Sequence, residues 1–174
     1  MVDGVLLSIA IEGTGPASGY WAAMMPEGSP RSALLLGLGG GTLAHLLARR
    51  YPDVEIVGVD ADREVVDFAR LHFGLALPNL EIVIGDAFDY VEHCYREFDF
   101  VAVDLFVGYG FQHGVLAKPF LRQLRAMTGR GGEIAFNLFK DRRTEQRMAR
   151  ISRVLRTYRV DRVGRNVVVH CRGG

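Results

Sequence analysis

The apolar residues of this chain fall into short, largely uninterrupted runs separated by stretches with helical spacing. Five such runs lie at 33–36, 54–59, 80–84, 98–103 and 133–139. Runs of this length without alternation are typical of strands buried on both faces of a sheet. Helical patterns lie between them, at 42–50, 62–73, 88–93 and 115–127. This alternation of strand and helix predicts a parallel sheet covered by helices on both sides.

The end of the chain departs from that alternation. Residues 142–158 have the spacing of a long amphipathic helix, whose apolar face would carry Met148, Ile151, Leu155 and Tyr158. Two short segments, 159–163 and 167–170, then flank Gly164 and predict an antiparallel hairpin. The predicted fold is α/β: a doubly wound, mostly parallel seven-stranded sheet with a C-terminal antiparallel hairpin. This arrangement resembles the Rossmann-like fold of the adenosylmethionine-dependent methyltransferases.

Length and composition favour one globular domain over residues 1–174, since 49% of the 174 residues are hydrophobic and 24% are charged. Residues 1–30 form a short N-terminal extension, with a β-rich run at 5–11 and an aromatic piece at 20–25. No apolar run is long enough to span a membrane and the start does not resemble a secretory signal, so we expect a cytoplasmic location. Cys94 and Cys171 fit no metal-binding spacing, so no metal is expected.

The candidate ligand site lies at the carboxyl ends of the strands, where open α/β sheets bind their ligands. The first strand ends in a glycine-rich turn made of Gly37, Leu38, Gly39, Gly40 and Gly41. Glycines allow positive φ angles and a close approach of ligand to backbone. The following helix would offer free N–H groups of residues 39–42 to a carboxylate or a phosphate.

Carboxylates follow the next two strands. Asp60, followed by Ala61, is placed to accept both hydroxyls of a ribose. Asp86, beside the small Ala87, is placed to accept from an adenine amino group. A dinucleotide-binding loop would need the motif G-x-G-x-x-G. Counted from Gly37, the last position of that motif is Thr42 instead of glycine. Dinucleotide enzymes do not generally need an acid after the third strand, so we favour an adenosylmethionine-type nucleoside over NAD.

The fourth strand ends in Asp104, which would face the centre of the site. A carboxylate at this depth is costly without a cationic partner, and the sulfonium and amino groups of the nucleoside are cations. Asp104 is therefore the candidate for both donor binding and catalysis.

Taken in order, these motifs resemble the spermidine synthase branch of the adenosylmethionine-dependent transferases. The resemblance covers about residues 18–139 and is carried by the segments LLGLGGGT at 35–42, GVD at 58–60, GDAF at 85–88 and VD at 103–104. It implies that the loop from Gly37 to Gly41, with Leu38 and Gly39, lies under the methionine-like tail and that Asp60 meets the ribose, with Ala61 as a further cofactor-binding residue. It also implies Asp86 and Ala87 around adenine, and Asp104 near the reacting sulfonium.

Three departures from that family affect the predicted reaction. Only 36 residues precede the glycine loop in this sequence, where the family has a sizeable β-domain that helps bind the amine. The family's Tyr-His-Glu step is here Tyr20, Trp21 and Ala22, and its second aspartate is Val107. The sequence therefore favours methyl transfer to an unidentified, apolar or aromatic small-molecule acceptor. Aminopropyl transfer from decarboxylated adenosylmethionine, and a relative that binds the nucleoside without chemistry, stay open as alternatives.

Two further residues are weaker candidates. His113 is the one conventional base in the loop after the fourth strand, and a lone loop histidine is usually only solvated. Asn137, at the end of the fifth strand, either faces the acceptor or makes a strand-end hydrogen bond.

The net charge of +1 hides an asymmetry, since residues from 140 onward carry 11 Lys and Arg against 3 Asp and Glu. Such a basic end can meet nucleic acid, but these arginines are spread over a helix and strands, and we favour a solvated face. A homodimer stays open.

Overall fold

The computed structural model of the chain describes residues 19–107 and 110–173. The predicted strand at 5–11 lies outside those residues. The helices are α1 Gly19–Met24, α2 Thr42–Arg50, α3 Arg63–His72, α4 Ala87–His93, α5 Lys118–Met127 and α6 Thr144–Ser152. The strands are β1 Ser32–Leu36, β2 Glu55–Asp60, β3 Leu80–Ile84, β4 Phe98–Val103, β5 Phe106–Val107, β6 Gly110–Phe111, β7 Thr128–Phe139, β8 Arg156–Val163 and β9 Asn166–Arg172.

Seven of these strands form one sheet in the order β3-β2-β1-β4-β7-β9-β8. The pairs from β3 to β7 are parallel, whereas β9 is antiparallel to both β7 and β8. The chain order reverses beside β1, so the gap between the carboxyl ends of β1 and β4 is a topological switch point. The predicted α/β fold with a C-terminal antiparallel hairpin is confirmed.

Alternate residues of the sheet face two separate cores. Leu34 and Leu36 of β1 face the core under α4, α5 and α6. Ala33 and Leu35 of the same strand face the core under α1, α2 and α3. Both faces of the central strands are therefore covered, which explains why they read as continuous apolar runs.

The aromatic piece at 20–25 is helical, and α1 packs its buried Trp21 and Met24 into the second core. The C-terminal hairpin holds the end of this helix, because the Arg159 guanidinium donates to the carbonyl oxygens of Ala23 and Met25. The short helix is thereby fixed over β7, β8 and β9, with its first turn at the carboxyl edge of the sheet.

The predicted helix at 142–158 was wrong over its second half. It ends at Ser152, and Arg156 begins β8. The apolar spacing at 148, 151, 155 and 158 fits a helix, but β-branched and aromatic residues follow and pair with β9 from Arg156 to Val163. Sheet pairing with a neighbouring strand thus overrides the local pattern.

Two other boundaries differ from the prediction. The helix at 115–127 is a 3₁₀ turn, His113–Leu116, followed by α5 from Lys118, because Pro119 lacks an N–H and suits the first turn of a new helix. The glycines at 129, 131 and 132, which follow α5, lie in an irregular first part of β7, where the register against β4 shifts between Phe98 and Phe100.

Candidate active site

Backbone hydrogen bonds hold the ends of four strands at one edge. The Gly37 amide donates to the Val59 carbonyl at 2.9 Å, and the Asp104 amide donates to the Leu36 carbonyl at 2.8 Å. The Gly85 amide donates to the Asp60 carbonyl at 2.9 Å. The predicted site segments therefore leave the sheet side by side.

The glycine loop after β1 needs glycine for two separate reasons. Gly37, Gly39 and Gly41 have φ angles of 87°, 51° and 81°, in the left-handed region that side chains disfavour. At Gly37 a Cβ would lie 2.3 Å from the Asp104 carbonyl oxygen. The loop thus passes against the backbone of the segment that carries the central carboxylate.

Asp60 is bound to the glycine loop. Its Oδ2 accepts from the amides of Leu38 at 3.0 Å and Gly39 at 2.7 Å, and its Oδ1 accepts from the Asp62 amide at 3.0 Å. The Gly41 amide donates to the Leu38 carbonyl at 2.9 Å. Two of the amides expected to be free for a donor carboxylate, those of Gly39 and Gly41, are therefore engaged within the protein.

Asp60 and Asp86 differ in whether they cap the helix that follows them. Asp62 caps α3, accepting from the amides of Glu64 and Val65, so Asp60 is not needed as a cap. Asp86 does cap α4, through Oδ1 and the amides of Phe88 and Asp89. A carboxylate oxygen has two acceptor positions, so capping leaves Asp86 capacity for a further donor.

The residues just after β2 and β3 are small and leave space at this edge of the sheet. Ala87 is buried at the start of α4, while Ala61 is exposed just beyond β2. A Cβ built on Gly85 would meet nothing within 4 Å. The segment expected to surround adenine therefore has free space beside Gly85.

Asp104 stands at the centre of a polar network. The Tyr20 hydroxyl of α1 donates to its Oδ2 at 2.9 Å. The Asn137 side-chain amide of β7 donates to its Oδ1 at 2.7 Å. Each carboxylate oxygen therefore has one fixed donor, and three elements of the fold meet at this group.

The charge on Asp104 is costly in this position. Burial raises the pKa of Asp104 to about 6, the hydrogen bonds from Asn137 and Tyr20 oppose that rise, and the negative charge of Asp60 adds to it. Burial also raises the pKa of the Tyr20 hydroxyl, with the Asp104 charge as the second cause, so Tyr20 stays a donor. Two carboxylates that repel each other across the switch point favour a cation between them.

Sequence reasoning missed Tyr20 as a site residue and left Asn137 undecided. The signal for Tyr20 was present, because it occupies the tyrosine position of the family's Tyr-His-Glu step. Asn137 is 2% exposed and its amide faces the site, so its strand-end hydrogen bond is made to Asp104 itself. The side chains of Val107 and His113 lie outside the described part of the structure.

Four of the eleven basic residues from position 140 onward lie in ion pairs. Arg147 pairs with Asp141 at 2.9 Å, and Arg162 pairs with Glu145 at 3.1 Å. Arg159 and Arg172 both pair with Glu27 at 3.2 Å. Within 19–107 and 110–173, no cluster of three or more His, Cys, Asp or Glu side chains is placed to hold a metal ion, and none of the helices has the length and apolar character needed to cross a membrane.

A seven-stranded sheet of this order, with antiparallel C-terminal strands, is the Rossmann-like fold of the methyltransferase type. Solved structures with this fold include human methyltransferase-like protein 13 in complex with SAH, with a TM-score of 0.74 and 22% identity over 83% of this chain and 72% of that one. A spermidine synthase in complex with the transition state analogue AdoDATO gives a TM-score of 0.70 and 21% identity over 84% of this chain and 56% of that one. Identities this low show the fold alone.

The sequence comparisons identify the family. The spermine/spermidine synthase domain matches residues 22–159, and the chain belongs to that family. It is 34% identical over 120 residues to the polyamine aminopropyltransferase of Nitrosomonas europaea, covering 64% of this chain and 36% of that protein. It is 27% identical over 146 residues to the polyamine aminopropyltransferase of Neisseria meningitidis, covering 80% of this chain and 55% of that protein. The chain thus spans between about a third and about half of the length of these two relatives.

Proposed function

We propose that this protein transfers an aminopropyl group from decarboxylated adenosylmethionine to an amine, with Asp104 as the group that binds the amine and accepts its proton. The observation that carries the proposal is the half-buried Asp104 carboxylate, held by Tyr20 and Asn137. The names of the relatives support the same reaction. Methyl transfer, which the sequence favoured, has less support.

The donor is expected to lack a carboxylate because the glycine loop uses its own amides. Leu38 and Gly39 donate to Asp60, and Gly41 donates to Leu38. A donor carboxylate would have to displace those bonds and would lie near two acidic side chains, Asp60 and Asp104. Decarboxylation removes that repulsion and leaves only cationic groups, the sulfonium and the amine.

The role of Asp104 follows from its charge and position. Above a pH of about 6 it is ionised, so it attracts an ammonium ion and keeps the nitrogen at the switch point. Asp104 first accepts a proton from the ammonium ion, which frees the nitrogen lone pair. The lone pair attacks the propyl carbon bonded to sulfur, and the carbon–sulfur bond breaks with its electron pair passing to sulfur. Asp104 then releases its proton to water, which regenerates the carboxylate, and the product leaves as a secondary ammonium ion.

The acceptor side of the site is partly aromatic. Phe106 and Phe139 pack with ring centroids 4.6 Å apart. Phe106 comes two residues after Asp104, and Phe139 comes two residues after Asn137 on the same face of β7. The family's second aspartate is Val107 in this sequence. We therefore expect an amine with one charged nitrogen and an apolar chain to be a better acceptor than putrescine.

The test is a transfer assay with decarboxylated adenosylmethionine and a panel of amines, read by mass spectrometry for the aminopropylated product and for methylthioadenosine. The panel should pair putrescine with a butylamine of the same length, so that only the second charge differs. Asp104→Asn should abolish transfer, while Asp161→Asn, remote on β8, should not. Methylation of an acceptor by adenosylmethionine, with no product from the decarboxylated donor, would refute the proposal.

A further inference from the structure

The Asp104 network extends one residue beyond the groups that touch the carboxylate. The Asn166 side-chain amide, at the start of β9, donates to the Asn137 Oδ1 at 2.9 Å. Asn137 in turn donates to the Asp104 Oδ1 at 2.7 Å. In the β7–β9 ladder Asn166 stands opposite Phe139 and Asn137 opposite Val168, so the two asparagines are diagonal neighbours on one face.

An asparagine can present either an NH₂ donor or an oxygen acceptor to the same partner. Beside a carboxylate the oxygen would be repelled, and Asp104 would lose the donor on its Oδ1. The partner at the other end of the amide decides which atom faces the carboxylate. Asn166 donates to the oxygen of Asn137, which turns the NH₂ group of Asn137 toward Asp104.

We propose that Asn166 is a positioning residue for Asp104: acting through Asn137, it keeps a hydrogen-bond donor on the carboxylate. A residue of the C-terminal hairpin thereby has a function in the site, although it belongs to none of the sequence motifs at the glycine loop and the strand ends. This positioning acts on the carboxylate that the proposed reaction uses. It is present in the ligand-free protein and does not depend on which group is transferred.

The groups that face Asp104 come from three other elements. Tyr20 of α1 donates to Oδ2, Asp60 of β2 contributes a repelling negative charge, and Asn137 of β7 donates to Oδ1. Two exposed cations, Lys140 and Arg165, lie beyond the ends of the same strands. All of these except Asn137 stay unchanged in the variants below, so a shift in the titration of Asp104 reports the amide pair.

The test is a titration of the Asp104 carboxyl carbon by NMR in protein labelled with ¹³C-aspartate, with Asp104→Asn used to assign the signal. Asn166→Leu keeps the volume but removes the donor, so the Asn137 amide is free to turn. The Asp104 pKa should then rise by about one unit, as expected when a hydrogen bond to the charged form is lost. Asn137→Leu should produce the same rise directly.

The double variant separates positioning from a general effect on the fold. In the Asn137→Leu background, Asn166→Leu should leave the Asp104 pKa unchanged, because the connecting amide is already absent. Asn79→Leu is the matched control, since the Asn79 amide donates to the Val54 carbonyl far along the sheet and should not move the titration. Should Asn166→Leu fail to fold, Asn166→Ser shortens the donor and gives the same comparison. An unchanged pKa in the single variant, or an equal shift in both backgrounds, would overturn the proposal.

Discussion

Removing the Tyr20 hydroxyl should destabilise the protein by an amount that depends on pH. In Tyr20→Phe the ring keeps its contact with Trp21, at 4.2 Å between centroids, and only the donor to Asp104 is lost. At pH 8 Asp104 is ionised, and a hydrogen bond to a charged group contributes about 1.5–3 kcal/mol. At pH 4.5 Asp104 is mostly protonated, and a neutral hydrogen bond contributes about 0.5–1.5 kcal/mol.

The sign follows from linkage. The Asp104 pKa is raised from 3.8 to about 6 by folding, so the folded state holds the proton more tightly and loses stability as pH rises through that window. Without Tyr20 the folded pKa rises further, and one additional unit costs about 1.4 kcal/mol at pH 8. The variant should therefore be destabilised by about 1 kcal/mol more at pH 8 than at pH 4.5.

The assay is urea unfolding of both proteins at the two pH values. Tyr51→Phe is the matched control, because the Tyr51 hydroxyl donates to the uncharged Pro26 carbonyl at 3.3 Å and its loss should cost the same at both. Equal destabilisation of Tyr20→Phe at pH 4.5 and pH 8 would show that the hydroxyl does not serve the Asp104 charge.

Three further outcomes follow from the site. Gly37→Ala should be far more destabilising in thermal unfolding than Gly74→Ala. Both glycines have a positive φ, but a Cβ at Gly37 would lie 2.3 Å from the Asp104 carbonyl oxygen, whereas one at Gly74 would meet nothing within 4 Å. Equal losses of stability would mean that only φ matters at Gly37. Asp60→Ala should weaken binding of methylthioadenosine by about 1.5–3 kcal/mol by calorimetry. Asp62→Ala should leave that affinity alone and cost about 1 kcal/mol of stability as a lost helix cap, and the reverse pattern would make Asp60 structural only. With Arg147, Arg159, Arg162 and Arg172 in ion pairs, heparin should not retain the protein at physiological salt, and retention with a steep salt dependence would instead indicate a polyanion site.

The strand ends could be predicted from sequence because their signals are local. A buried strand, followed by a glycine turn or by an acid within two residues of the strand end, places Gly37, Asp60, Asp86 and Asp104 at one edge whatever the rest of the chain does. The signal for the α3 cap is equally local, since Asp62 and the amides from which it accepts hydrogen bonds are neighbours in sequence.

The residues that complete the network could not be predicted in the same way, because they come from distant parts of the chain. Tyr20 is 84 residues from Asp104, and Asn166 is 29 residues from Asn137. Their meeting depends on α1 lying over the C-terminal strands and on the register of β7 against β9. The wrong helix at 142–158 hid that register, because a chain read as helical through Tyr158 gives no long β8 and no firm pairing for β9.

The nature of the donor decides between aminopropyl and methyl transfer, and calorimetry can measure it directly. Decarboxylated adenosylmethionine and adenosylmethionine should be titrated side by side into the protein at pH 8. Because the Gly39 and Gly41 amides are engaged internally and Asp60 and Asp104 are both acidic, we expect the decarboxylated form to bind at least about tenfold more tightly, a difference of about 1.4 kcal/mol. Tighter binding of adenosylmethionine itself would contradict the proposed reaction and restore methyl transfer.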